Sequence, residues 1–212
     1  MFLMPETEYR QLTQDAQELE RDLFGPKVYL LPDQRIIKLF RVKRLLSLSA
    51  LYPYSLRFAR NARRLNAMGI IAPHVERRFF CVAIRRHGII YPLLEGEPLA
   101  KLLHAGAEDE RLVEEFAGFI ARLHQKGIYF RSLHLGNVLL LLNGGFGLID
   151  VADLRLRPFP LGMAARRRNF RHLFRLPEHR AVFEHFGMGR FLECYCQAAG
   201  IPSHKSCELL VS

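Results

Sequence analysis

Hydrophobic and polar positions change period several times along the chain, and each change marks an element. Residues 6–21 carry few apolar side chains and read as a polar, charged helix or a lead-in. Lys27–Leu31 (KVYLL) and Arg35–Phe40 (RIIKLF) are β-rich runs separated by Pro32-Asp33-Gln34, which predicts a hairpin. Period two in the second run sets Arg35, Ile37 and Leu39 on one face and Ile36, Lys38 and Phe40 on the other. Lys38 therefore stands among apolar neighbours, where its aliphatic stem can lie along apolar surface. From Ser55 to Met68, Phe58, Ala62 and Leu65 recur at helical spacing, and Gly69 supplies a stop. Short β-rich pieces follow, divided by Pro73, His87-Gly88 and Pro92. Glu95-Gly96-Glu97-Pro98 reads as a connector and places a boundary between residues 1–94 and 95–212. Beyond it, Asp109 to Gln125 predicts a helix whose buried stripe is Leu112, Phe116, Phe119, Ile120 and Leu123, with Gly127 past its end. Arg166 to Ala199 is mostly helical by periodicity, and no internal repeat is visible.

The order is β-rich with one helix, a connector, a long helix, a hairpin, then helices. That predicts an α+β arrangement of two lobes sharing a cleft, and it excludes a βαβ alternation. At 212 residues, half of them hydrophobic, the chain can build a substantial core. The densest apolar run is Val138–Leu142, far short of the roughly 20 residues of a membrane span. The first residues turn acidic and polar after Met4, unlike a signal peptide, so a cytoplasmic address is expected. Cys81, Cys194, Cys196 and Cys207 form no metal-ligand ladder and are expected as reduced thiols.

Charge alters the picture more. The formal net charge is +10, and it is unevenly spread. Gln34–Val75 contains no acid but holds Arg35, Lys38, Arg41, Lys43, Arg44, Arg57, Arg60, Arg63 and Arg64. Leu154–Pro177 is likewise acid-free and holds Arg155, Arg157, Arg166, Arg167, Arg168, Arg171 and Arg175. Such blocks fit a polyanionic neighbour, whether nucleic acid, an anionic membrane face or a phosphorylated substrate, and they also fit solvated helix faces. No nucleic-acid recognition motif accompanies them.

The candidate chemistry lies in 128-IYFRSLHLGNVLLLLNGGFGLID-150. VLLLL and FGLI flank Asn143-Gly144, a strong two-residue hairpin signal. In the register centred on that turn, Val138 faces Ile149 and Asn137 faces Asp150. An amide oxygen and a carboxylate are then side by side, a donor set that suits Mg²⁺. The alternative is that Asn137 ends a turn and Asp150 caps the next one.

These residues carry a resemblance. Gly127-Ile-Tyr-Phe-Arg-Ser-Leu-His-Leu-Gly-Asn137 resembles the catalytic loop of protein-kinase-like folds, and Gly147-Leu-Ile-Asp150-Val-Ala-Asp153 resembles the metal-binding segment after it. Over roughly residues 20–190 the chain is similar to the bacterial lipopolysaccharide kinases, the heptose- and Kdo-kinase-like proteins. The resemblance implies a small two-lobed protein-kinase-like fold: an N-terminal lobe with an antiparallel sheet and one helix, and a mainly helical C-terminal lobe. It implies ATP and Mg²⁺ as cofactors, with Lys38 and Gly25 on the nucleotide side and Asn137 and Asp150 as metal ligands. It also implies a sugar hydroxyl of the lipopolysaccharide core, or another phosphorylated glycolipid, as acceptor. The basic runs would then hold the chain at the anionic cytoplasmic face of the inner membrane.

The departures are equally specific. Ser132 stands where the family has its catalytic Asp, five residues before Asn137. Residues 55–68 contain no acid, and Phe58 falls where the Glu partner of the strand lysine belongs. The phosphate-covering loop is reduced to Phe24-Gly25-Pro26-Lys27. His134 and Asp153 are the remaining candidates to accept a proton. Two functions are consistent with this pattern: a phosphotransferase impaired by loss of the Asp, or a pseudokinase that binds or scaffolds in the same pathway without turnover.

Overall fold

The computed structural model describes residues 1–41, 53–104 and 110–210. Lys43, Arg44 and Asp109 lie outside the described residues. The chain divides into two compact units, Met1–Leu94 and Glu95–Ser212.

Among the described residues the first unit builds a six-stranded sheet in the order β1-β5-β6-β4-β3-β2. Its strands are β1 (Phe2–Met4), β2 (Gln17–Asp22), β3 (Gly25–Leu30), β4 (Arg35–Arg41), β5 (Arg77–Cys81) and β6 (Arg86–Pro92). All neighbours are antiparallel except β1, which runs parallel to β5. The polar stretch expected as one helix is a short helix, α1 (Glu6–Thr13), followed by the edge strand β2. Charge in β2 suits an edge, where one row of backbone groups faces water. The predicted helix is present as α2 (Tyr54–Ala67), and Gly69 follows it at φ +73°.

Period two in β4 decides which layer each side chain enters. Ile37 and Leu39 join Met4, Tyr9, Leu31, Phe79, Cys81 and Ile90 in one core layer. On the opposite face, the Phe58 ring of α2 lies 6.0 Å from Phe40 and 5.7 Å from Tyr91, centroid to centroid. The sheet is thus packed on both faces. Gly88 makes the first layer possible, since a Cβ there would lie 2.1 Å from the Phe79 ring.

The hairpin from β3 to β4 closes through Pro32-Asp33-Gln34. Leu31 N–H donates to Arg35 O, Gln34 N–H donates to Leu31 O, and Gln34 takes φ +61°. Asp33 Oδ1 accepts from Arg35 N–H at 3.2 Å, which holds the turn.

In the second unit, β7 (Gly96–Pro98) leads into α3 (Leu99–His104) and α4 (Glu110–Gln125). The strands β8 (Ile128–Phe130), β9 (Val138–Leu141), β10 (Phe146–Leu148) and β11 (Leu154–Leu156) come next, then α5 (Met163–Leu173), α6 (Pro177–Phe186) and α7 (Met188–Ala199). The segment expected as a connector is therefore a strand, and it pairs with β9. Gly96 allows it, because a Cβ there would stand 2.5 Å from the Leu140 carbonyl oxygen. The expected stripe of α4 is buried, and Phe116, Phe170, Phe174, Phe183 and Phe191 interlock in one aromatic core. All four cysteines are free thiols.

The β9–β10 hairpin departs from expectation by one residue. Phe146 pairs with Leu140 and Leu148 with Val138. Leu141 N–H donates to Gly145 O and Gly144 N–H to Leu141 O, so the loop has three residues, Leu142-Asn143-Gly144, with Gly144 at φ +79°. Asn143 Oδ1 accepts from Gly145 N–H and draws the extra residue into the turn. Asn137 consequently faces Ile149, whose N–H donates to Asn137 O at 3.0 Å. Asp150 sits one step beyond that pair.

Candidate functional site

β8 and β11 pair through Phe130–Leu154, Tyr129–Arg155 and Ile128–Leu156, with Gly127 O accepting from Arg157 N–H at 2.9 Å. This narrow ladder holds both ends of the region from Phe130 to Leu154. Inside it the chain turns at Arg131-Ser132, passes through a 3₁₀ turn at Leu135–Asn137 and runs out along β9. After β10 it turns again in a 3₁₀ turn at Val151–Asp153.

Ser132 and Asn137 are tied directly. Asn137 is 8 % exposed, and its Nδ2 donates to the Ser132 carbonyl at 2.9 Å. That bond orients the amide and leaves Oδ1 as the atom a hard cation would take. Asp150 occupies the left-handed region (φ 54°, ψ 44°), a rare conformation for a residue with a Cβ. It stands at the start of the Val151–Asp153 turn, yet its side chain makes no capping hydrogen bond to that turn. Its carboxylate does not serve as the cap. One amide oxygen and one carboxylate fit Mg²⁺, which takes one or two protein oxygens and fills the rest of its shell with phosphates and water. Among the described residues no group of three or more His, Cys, Asp and Glu gathers to form a fuller metal cage.

His134 belongs to the same cluster. Its ring stacks on His179, with centroids 5.6 Å apart and planes at 25°. Burial pushes its pKa below the ordinary imidazole value, the Asp150 charge opposes this, and Arg175 adds to it. The ring is neutral at neutral pH, and its buried Nδ1 has no hydrogen-bond partner among the described residues. Gly136 makes room for it, since a Cβ there would come within 3.2 Å of that nitrogen. Asp153 is half-buried at the end of its turn.

Behind the cluster lies a network that local sequence patterns do not disclose. Arg166, 6 % exposed, donates from Nη1 to the Tyr195 hydroxyl at 2.6 Å and from Nε to Leu161 O at 2.6 Å. The phenol proton is thereby directed to His124 Nδ1 at 2.7 Å, and His124 Nε2–H reaches Asn169 Oδ1 at 3.1 Å. Asn169 in turn clamps both backbone groups of Phe130, donating from Nδ2 to its carbonyl and accepting from its N–H. Burial drives the His124 pKa down to about 3, so the ring is neutral and holds this tautomer. Arg166 is thus a buried structural group, contrary to its expected place in a polyanion-facing run.

Lys38 and Gly25 belong to the first unit. Lys38 pairs with Val28 and Ile89, and its Nζ lies 6.0 Å from the centre of the Phe58 ring. A cation–π contact therefore occupies the place where the resemblance implies a Glu. Gly25 opens β3 at φ +109° and pairs with Asp22, so the turn consists of Leu23-Phe24. Gly25 and Pro26, expected as part of a loop, are strand. Arg86, 6 % exposed, fixes this turn by donating to Phe24 O at 2.6 Å and Pro26 O at 2.7 Å.

No family model matches the chain, and no curated protein matches it in sequence. Solved structures do match. One is a divergent kinase that lacks the glycine-rich loop and regulates membrane ultrastructure of the Toxoplasma parasitophorous vacuole. It aligns with a TM-score of 0.52 at 15 % identity, covering 97 % of this chain and 84 % of that one. Monomeric WbdD aligns with a TM-score of 0.52 at 16 % identity, covering 86 % of this chain. A second structure of WbdD, described as a bifunctional kinase-methyltransferase, aligns at 14 % identity with a TM-score of 0.49. This chain spans 43 % of the length of monomeric WbdD.

Proposed function

The chain has a protein-kinase-like fold, and from that premise we propose that it binds ATP with Mg²⁺ and transfers the γ-phosphoryl group to a hydroxyl of a membrane-held sugar of the lipopolysaccharide-core type. The observation that carries this reading is the bond from Asn137 Nδ2 to the Ser132 carbonyl, with Asp150 held in a left-handed turn one step past the Asn137–Ile149 pair. A serine stands where the resemblance implies a carboxylate, and its backbone carbonyl orients the Asn137 amide. Phosphoryl transfer depends mainly on positioning and charge stabilisation, so this geometry is the larger part of what catalysis requires.

Each residue takes a distinct part. Asn137 and Asp150 supply the two oxygens that hold Mg²⁺, whose charge offsets that of the phosphates when bound. Ser132 orients the acceptor hydroxyl by a hydrogen bond. His134 takes the proton: the acceptor oxygen attacks phosphorus, its O–H proton passes to the imidazole, and ADP leaves with the electrons of the broken bond. A neutral ring is competent for that, although burial makes it a weak base.

A second reading is favoured by Ser132 and by the Leu23-Phe24 turn: a binding module that keeps the metal-nucleotide site without turnover. Calorimetric titration of ATP with and without Mg²⁺, alongside a sugar-phosphorylation assay, separates the two. The enzyme reading expects Mg²⁺-dependent binding that Asn137→Ala weakens, together with product formation. Binding without product selects the module. Absence of ATP binding under both conditions overturns both.

A further inference from the structure

The first unit contains a concavity whose lining includes neither Lys38 nor Gly25. It lies between the flank of α2 and residues 73–78 and encloses about 500 Å³. Arg60, Arg63, His74 and Arg78 line it, and none of its described lining residues carries a carboxylate. The nearest acid in sequence, Glu76, is directed to Arg35 at 3.7 Å.

Local structure keeps the cleft open. Asn66, near the end of α2, donates from Nδ2 to Ala72 O and accepts at Oδ1 from Ala72 N–H, both at 3.0 Å. This two-point clamp sets Pro73 and His74 beside the helix. Arg78 rises from β5 on the face that α2 covers, because its neighbour Phe79 fills the opposite core layer. Its Nε is buried and has no hydrogen-bond partner among the described residues. A buried guanidinium N–H without an acceptor costs free energy unless a ligand supplies one. At 100° per residue, Arg60 and Arg63 fall on the side of α2 that borders the cleft, while Arg64 falls about 100° further round from Arg63.

We propose that this cleft is a binding site for a phosphomonoester or pyrophosphate group, carried either by a lipid headgroup or by a soluble ligand. Its chemistry fits the tetrahedral oxyanion. The exposed Arg63 guanidinium lines the cleft, the partly buried Arg78 offers an N–H at the wall, and no described lining residue brings a carboxylate into it. Arginine forks match phosphate oxygens in pairs, which distinguishes a built site from diffuse surface charge.

The test uses the whole chain and soluble probes first. Inorganic phosphate and pyrophosphate are titrated calorimetrically without nucleotide or Mg²⁺, so the outcome stands apart from the nucleotide reading. Pyrophosphate is expected to bind saturably. Arg63→Glu and Arg78→Gln should each weaken it about tenfold or more, as expected when a charge-assisted hydrogen bond is lost. Arg64→Glu makes the same charge change one residue along and should leave affinity within about twofold. Circular dichroism and thermal unfolding establish that Arg78→Gln still folds, and Arg63→Glu, an exposed position, carries the test if it does not. Vesicles of phosphatidylcholine with phosphatidic acid, compared with phosphatidylglycerol vesicles of matched surface charge, then identify the source. Preference for phosphatidic acid assigns a lipid headgroup, and equal binding alongside tight pyrophosphate binding assigns a soluble ligand. Equal losses in Arg63→Glu and Arg64→Glu, or no saturable binding of either anion, overturn the proposal.

Discussion

At the residue scale, Ser132 tests the assignment of roles. A serine hydroxyl orients an acceptor but hardly deprotonates it near neutral pH. Ser132→Ala should therefore lower the rate of sugar phosphorylation only by the worth of one hydrogen bond, about 0.5–1.5 kcal/mol. Asp150→Ala removes the carboxylate from the proposed metal pair and should abolish Mg²⁺-dependent ATP binding along with turnover. Ser132→Asp should raise the rate, because a positioned base contributes roughly 10²–10⁴-fold. Measuring nucleotide affinity beside the rate keeps binding and chemistry apart. Loss of activity in Ser132→Ala with full activity in Asp150→Ala would sink the assignment. Phe58 makes a related point. Its ring lies 6.0 Å from Lys38 Nζ, at the position where the resemblance implies a Glu.

At the element scale, the β8–β11 ladder decides where the loop begins and ends. Gly127 is its closing residue, at φ +72°, where a Cβ would lie 2.4 Å from Arg157 O and 2.6 Å from Phe159 O. Gly127→Ala should destabilise the protein by about 1–3 kcal/mol through backbone strain and forced separation of the ladder. Urea unfolding measures that loss, and a midpoint equal to wild type would show that the ladder tolerates separation. The same scale explains what the pattern of residues disclosed. Repeating apolar spacing in α2 and α4 was legible because a helix buries one stripe, and Phe58, Ala62, Leu65, Phe116 and Ile120 are all buried. β7 was not legible, because three residues of Gly-Glu-Pro have no period. They become a strand only because β9 offers an edge and Gly96 permits close approach. The one-residue shift of the β9–β10 hairpin was hidden similarly. Asn143-Gly144 suits a two-residue or a three-residue loop, and the Asn143 side-chain bond to Gly145 selects the longer one.

At the scale of the whole molecule, buried histidines couple stability to pH. His124 is neutral in the folded protein, with a pKa near 3, against an ordinary value of 6.5 when unfolded. Between those values the unfolded chain binds a proton that the folded chain refuses, so stability rises with pH across that window. The contribution is complete above about pH 6.5 and is lost progressively as pH falls towards 3. His87, His134 and His172 are shifted downward by burial and act in the same direction. The thermal midpoint should fall between pH 7 and pH 5. In His124→Gln, which lacks the titrating ring, the fall should be shallower from a lower starting stability. An identical slope in the variant would remove His124 from the account.

By itself the sequence determined the α+β order, the two helices with clean apolar stripes, the hairpin at Asp33, and the spacing that sets Ser132 five residues before Asn137. Each is a local property, carried by period, turn chemistry or a short motif. Tertiary structure alone decided which distant groups meet. Asn169 reaches Phe130, Tyr195 reaches His124, His179 stacks on His134, and Arg86 holds the Phe24 turn across intervals no local pattern spans. Those contacts are chosen by packing, because a buried donor or acceptor must find its partner wherever the folded chain places one.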